Sequence, residues 1–139
     1  MSHHGILNVP DGDVLVHCGD FSGVGNPREW ADFSAWFRAF PHRHKVLIAG
    51  NHEIGFQSAS WGVEGLFPGV NYLLDETVTQ DGVKFYGSPW SPEFNDWEFN
   101  LPDNRFHLGR KFAQIPEDTE VLVTHCPPRG ILDYLPPRR

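Results

Sequence analysis

The chain has 139 residues, 40% hydrophobic and 21% charged, which excludes a disordered segment and gives enough length for one core. A formal net charge of -7 argues against nucleic acid as a partner, because no basic footprint for its phosphates is present. Two cysteines, Cys18 and Cys126, are too few for a disulfide framework, and no apolar run approaches the roughly 18 residues of a membrane span.

The N-terminal Met1-Ser2-His3-His4-Gly5 lacks a charged-then-apolar leader pattern, so a cytoplasmic protein with no membrane partner is expected. Residues 5–12 read as loop and turn. Val14-Leu15-Val16 reads as a buried strand running through His17 and Cys18 into Gly19-Asp20. A Gly-rich loop follows, then a helix from about Pro27 to Phe40. Asn26 caps it, Pro27 suits its first position, and Glu29 completes a capping-box-like arrangement. Trp30, Phe33, Phe37 and Phe40 recur at helical spacing and belong to the face packed on the sheet.

Val46-Leu47-Ile48-Ala49 is a second buried strand, expected over 45–49. Gly50 permits a sharp turn at its end, where Asn51, His52 and Glu53 arrive together. A short helix is expected near 58–66 and a short strand over 70–74. Asp81-Gly82, between 76–80 and 83–86, signals a type I′ hairpin. Residues 88–107 have no clean period, Ser88 to Asn100 carrying two prolines and four large aromatics, and read as a pinned loop or a ligand-facing wall. Trp90, Phe94 and Trp97 are the substrate-facing candidates there. A short helix over 105–114 precedes a third buried strand, Val121-Leu122-Val123, which runs through Thr124 into His125.

Three apolar strands thus end in polar residues. As parallel neighbours they bring Asp20, Asn51, His52 and His125 to one sheet edge, the place where open α/β sheets bind ligands. A carboxylate, an amide oxygen and imidazoles form a ligand set suited to Mn, Fe or Zn rather than Ca. Each residue alone reads equally as a turn, a cap or a satisfied polar group; the three matching strand ends favour a site. Cys18 and Cys126 each adjoin a proposed ligand and read as two buried free thiols. A Cys126–His125 nucleophile lacks a recognisable orienting residue.

Gly19-Asp20, Gly50-Asn51-His52-Glu53 and Thr124-His125 resemble the ordered motifs of the calcineurin-like metallophosphoesterases. Asn8-Val9-Pro10-Asp11-Gly12-Asp13, Val83 to Trp90 and Cys126-Pro127-Pro128 are similar to the branch of metallophosphoesterase-domain-containing proteins. The resemblance implies an α/β fold, a four-layer α/β/β/α sandwich, with residues 1–139 forming one partial domain. It implies that Asp20 bridges two divalent ions and that Asn51 and His125 bind one of them. His52 would stabilise the transition state or protonate the leaving oxygen, with Glu53 holding or polarising nearby groups. Two such ions, about 3.5–4 Å apart, activate a water and clamp a phosphate.

The family's upstream Asp-x-His and downstream Gly-His-x-His motifs have no counterpart, so the chain reads as the middle of the family domain, trimmed at both ends and keeping ligands for one ion. The expected function is a metal-dependent phosphoester hydrolase acting on a small phosphorylated substrate such as a nucleotide or related phosphodiester. The alternative is a shortened, catalytically impaired form that binds a metal or nucleotide or serves as an interaction protein.

Overall fold

The computed structural model describes residues 6–58, 62–102 and 105–134. Strand β1 is Val14–Cys18, helix α1 Pro27–Ala39, strand β2 His44–Ile48 and helix α2 Gly62–Leu66. Strands β3 (Asn71–Tyr72), β4 (Glu76–Gln80) and β5 (Val83–Ser88) follow, then the two-residue strands β6 (Ser91–Pro92) and β7 (Asn100–Leu101). Helix α3 (Arg105–Phe112) and strand β8 (Val121–Thr124) complete the order. His3 and His4 lie outside the described residues.

The strands form two main sheets. β1, β2 and β3 are parallel neighbours in that order, whereas β8 pairs with β5 in a second sheet ordered β4-β5-β8. The three apolar strands are therefore not neighbours in one sheet. Of the three runs only that of β2 is buried on both faces, with β1 half-buried and Leu122 of β8 exposed, and an apolar run does not report which strand it pairs with. The hairpin joining β4 to β5 turns at Asp81 (φ 51) and Gly82 (φ 86), the positive pair a type I′ turn requires.

Alternation along β2 explains the layering, because successive side chains of a strand point to opposite faces. Leu47 and Ala49 join Trp30, Phe33 and Phe37 of α1 in an aromatic cluster with Phe21, Phe56, Phe67 and Phe99. Val46 and Ile48 point the other way, into a second cluster with Leu73, Phe85 and Val123 that lies between the sheets. At Gly87 the sheets approach so closely that a Cβ would collide with Leu73. The fold is α/β, with α1 and the end of α2 packed on one face of the first sheet and the second sheet facing its other side. Leu122, on the opposite face of β8 from Val121 and Val123, is 49% exposed, so the outer face of the second sheet is only partly covered among the described residues.

Asn26 caps α1, its side chain accepting the Arg28 N–H at 2.9 Å. Glu29 does not close a capping box. Its carboxylate accepts the Gly23 N–H at 2.8 Å instead, tying the helix to the Gly-rich loop. Phe40, beyond the end of α1, is only half-buried and packs edge-on against Trp36.

The 88–107 segment is pinned. Ser91 N–H donates to Phe99 O and Glu93 N–H to Leu101 O, pairing β6 with β7. Asp75, at φ 55, accepts hydrogen bonds from Ser88 Oγ, Trp90 Nε1 and Lys111 Nζ, and this knot fastens α3 to the end of β5.

Among the described residues no helix is long and apolar enough to cross a membrane.

Candidate metal and phosphate site

β1 and β2 end side by side, with Cys18 in register with Ile48, so the chain leaves both strands at the same edge. Gly19 (φ 92) and Asp20 (φ 60) turn the first exit through left-handed backbone. For a non-glycine residue that conformation is uncommon and persists only where neighbours enforce it. Here the enforcing group is Glu53, which is fully buried. Its Oε2 accepts the Gly50 N–H at 2.7 Å and the Asp20 N–H at 2.8 Å. Its Oε1 accepts the Ser22 N–H at 2.9 Å and Ser22 Oγ at 3.0 Å. One buried side chain thus satisfies donors from both strand exits. Burial pushes the Glu53 pKa up, and the three backbone N–H donors oppose that rise.

Gly50 is needed for space rather than for a turn, since its φ is not positive. A Cβ there would collide with the Asp20 carboxylate and the His125 ring. Those two side chains meet across the sheets: His125 comes from the end of β8 in the second sheet, and its Nε2 lies 3.4 Å from Asp20 Oδ1. The same nitrogen lies 3.1 Å from Asn51 Oδ1. The expected trio therefore converges, but across two sheets instead of along one edge.

His125 Nδ1 sits 2.8 Å from the Cys18 carbonyl oxygen. A carbonyl only accepts, so Nδ1 carries the proton and neutral His125 presents its Nε2 lone pair to the two oxygens. An imine nitrogen, an amide oxygen and a carboxylate oxygen then face one another with lone pairs only. A proton on Nε2 or a cation among the three removes that repulsion. A divalent ion is the occupant that engages all three, and the donor set of one nitrogen and two oxygens suits Mn, Fe or Zn. Among the described residues, no group of three His, Cys, Asp or Glu side chains has metal-binding geometry; the third donor here is an asparagine.

His52 stands at the side of this trio. Its Nδ1 lies 2.5 Å from the Gly23 carbonyl, which fixes the proton on Nδ1 and turns Nε2 towards Asp20 Oδ2, 3.9 Å away. Its own backbone N–H donates to Asp20 Oδ1 at 3.1 Å. The Trp97 ring lies 4.3 Å from that of His52, and Phe94 meets Trp97 at 5.4 Å. Trp90 does not join them. Its indole donates to Asp75 at 2.7 Å and its ring lies under the Lys111 ammonium at 4.4 Å, so this expected substrate-facing residue is held in the knot around Asp75.

Both cysteines are free. Cys126 is half-buried, but Cys18 is exposed, which corrects the expectation of two buried thiols. Burial of part of each side chain pushes both thiol pKa values up, with a hydrogen bond from Ser91 partly opposing the rise at Cys126. Neither has the lowered pKa of a nucleophilic cysteine. Ser22 and Gly23, which hold Glu53 and His52, were not singled out from the sequence. Their neighbourhood to Gly19-Asp20 was the available signal.

Comparison with known proteins agrees with this geometry. The calcineurin-like phosphoesterase family matches residues 3–139. The chain is 37% identical over 153 aligned residues to metallophosphoesterase domain-containing protein 1 of Homo sapiens, covering 94% of this chain and 47% of that protein. It is 40% identical over 142 residues to a UPF0046 protein of Caenorhabditis elegans, covering 91% of this chain and 48% of that protein. The chain is also 33% identical over 143 residues to probable rhamnogalacturonate lyase C of Emericella nidulans, covering 95% of this chain but 13% of that protein. The chain spans about half the length of the first two relatives. With the motif residues brought together across the two sheets and the match extending over nearly the whole chain, the chain belongs to the calcineurin-like phosphoesterase family.

Proposed function

We propose that this chain is a metal-dependent phosphoester hydrolase, with a nucleotide or related phosphodiester as substrate. The observation that carries the reading is the convergence of Asp20 Oδ1, Asn51 Oδ1 and His125 Nε2 as lone-pair donors beside His52. Asp20, Asn51 and His125 would hold a divalent ion of the Mn, Fe or Zn class. When bound, such an ion neutralises phosphate charge and lowers the pKa of a water, which a chain of net charge -7 needs in order to accept an anion.

The chain's own residues do the rest. Glu53 fixes the backbones of Gly50, Asp20 and Ser22, so the donors are positioned before any ligand arrives. The Gly23 carbonyl holds His52 with Nε2 as the atom available for proton transfer. Protonated there, His52 stabilises charge on a phosphoryl oxygen or gives its proton to the leaving oxygen.

The test is Mn-dependent hydrolysis of bis(p-nitrophenyl) phosphate by wild type and Asp20→Asn, with calorimetric titration of Mn alongside. Turnover that Asp20→Asn reduces by at least about a hundredfold supports the proposal. Equal rates in the two proteins would overturn the role of Asp20. Mn binding without turnover favours the second reading, an impaired form that binds metal; the close approach of His125 Nε2 to Asn51 Oδ1 and Asp20 Oδ1 is the observation behind it.

A further inference from the structure

The segment between β6 and β7 presents an aromatic corner beside His52. Trp97 is tilted 60° to the imidazole, and Phe94 meets Trp97 edge to face with their planes 83° apart. Phe94 is 59% exposed, and Val24, next to the carbonyl that holds His52, is 73% exposed. The corner is fastened to the loop that carries the donor set. Glu98 N–H donates to the Asn51 carbonyl at 3.2 Å, and Glu98 Oε2 accepts the Gly55 N–H at 3.1 Å. Asn100 Nδ2 donates to the Phe94 carbonyl at 3.0 Å, closing the loop from its other side.

Resting on the hydrolase reading above, we propose that Trp97 and Phe94 form the binding wall for a planar aromatic substituent of the phosphoester substrate, a nucleobase or an aryl group. His52 stands beside Asp20, and the Trp97 ring lies 4.3 Å from that imidazole. A substituent that reached past His52 from a phosphate held at Asp20, Asn51 and His125 would meet the corner. Two rings at right angles offer a planar group one face to stack on and one ring at its edge, the two arrangements aromatic pairs favour. An alkyl substituent has neither. The hydrogen bonds that fix the loop exist without ligand, so little ordering is required when one binds. An acidic chain gains nothing from its overall charge when it binds an anion, and apolar contact to the substituent supplies attraction that the charge does not.

Steady-state kinetics with Mn on bis(p-nitrophenyl) phosphate and methyl p-nitrophenyl phosphate tests this, since the two esters share a leaving group and differ in the remaining substituent. Wild type is expected to show the lower KM for the diaryl ester. Trp97→Ala raises that KM about tenfold, as loss of one stacking partner should, and leaves the methyl ester within about twofold. Trp97→Phe restores most of the difference, and Phe94→Ala shows the same selectivity at smaller size. Equal losses on both esters, or a loss confined to kcat, overturn the wall and leave Trp97 as packing for His52. If wild type hydrolyses neither ester, the hydrolase reading fails on its own. Calorimetry of AMP against ribose 5-phosphate in the presence of Mn then decides the wall. AMP binding about tenfold tighter in wild type but not in Trp97→Ala supports it. Equal affinities, or no binding of either, overturn it.

Discussion

The Asp20 backbone N–H donates to Glu53 Oε2 at 2.8 Å, and this bond between residues 33 apart holds Asp20 in left-handed backbone at φ 60. Glu53→Gln tests how much depends on it. A glutamine has one acceptor oxygen and an NH2 group; with the NH2 in place of Oε2 both the Gly50 and Asp20 N–H groups face N–H, and with it in place of Oε1 only the Ser22 N–H does, because the Ser22 hydroxyl can turn to the His52 carbonyl and accept. Leaving one buried donor unmatched costs roughly 1–3 kcal/mol, so a loss of about that size is expected. Denaturant unfolding of the two proteins measures it. A loss below about 0.5 kcal/mol, the range of neutral surface changes, would deny Glu53 this role.

Gly50→Ala separates space from backbone freedom. Gly50 is not at positive φ, so alanine suits its conformation; the cost is the collision of the new methyl with Asp20 and His125. Overpacking of this kind costs about 1–3 kcal/mol, and the two side chains must part to relieve it. Weaker Mn binding by calorimetry together with lowered stability is the expected pair of results. Unchanged Mn affinity would show that the trio tolerates separation and that the close approach is incidental.

Much of this site is visible in the sequence because short apolar runs ending in polar residues have few physical readings. Val14 to Val16, Val46 to Ile48 and Val121 to Val123 all lie in strands, although only the β2 run is buried throughout, β1 being half-buried and Leu122 of β8 exposed, and Asn26-Pro27 begins a helix for the capping reasons given. Partition between sheets was not visible. β8 pairs with β5 across a connection that includes β6, β7 and α3, and nothing in Val121-Leu122-Val123 encodes its neighbour. Trp90 and Trp97 also read alike in the sequence, both being large aromatics in one stretch without a clean period. What separates them is Asp75, distant in sequence, which takes the Trp90 indole N–H. Glu29 found Gly23 rather than its own helix terminus for a similar reason: the loop folds back over α1.

The knot at Asp75 carries its own prediction. Asp75 accepts from Ser88, Trp90 and Lys111, and its φ of 55 is one that asparagine tolerates and alanine does not favour. Asp75→Ala leaves three donors without an acceptor and adds backbone strain, an expected cost of about 3 kcal/mol or more. Asp75→Asn keeps one acceptor oxygen and the backbone preference and should cost about half as much. Unfolding free energies measure both. Equal losses in the two variants would show that the Lys111 ion pair dominates and that geometry contributes little.

The thiols give a pH dependence with a definite sign. Burial raises the pKa of Cys18 and Cys126 above the ordinary value of 9.0. The thiolate is the reactive form, so a raised pKa means a smaller reactive fraction at neutral pH. Alkylation by iodoacetamide should therefore be slow at pH 7, rise about tenfold per pH unit, and reach half its limiting rate only above pH 9 at both positions. Cys18, being exposed, should react faster than half-buried Cys126 at every pH. Mass spectrometry of each cysteine peptide reads the two rates separately. Rapid labelling of Cys126 at pH 7 would contradict this, because it requires a lowered pKa beside His125. That result would reopen the cysteine-nucleophile chemistry that the geometry disfavours.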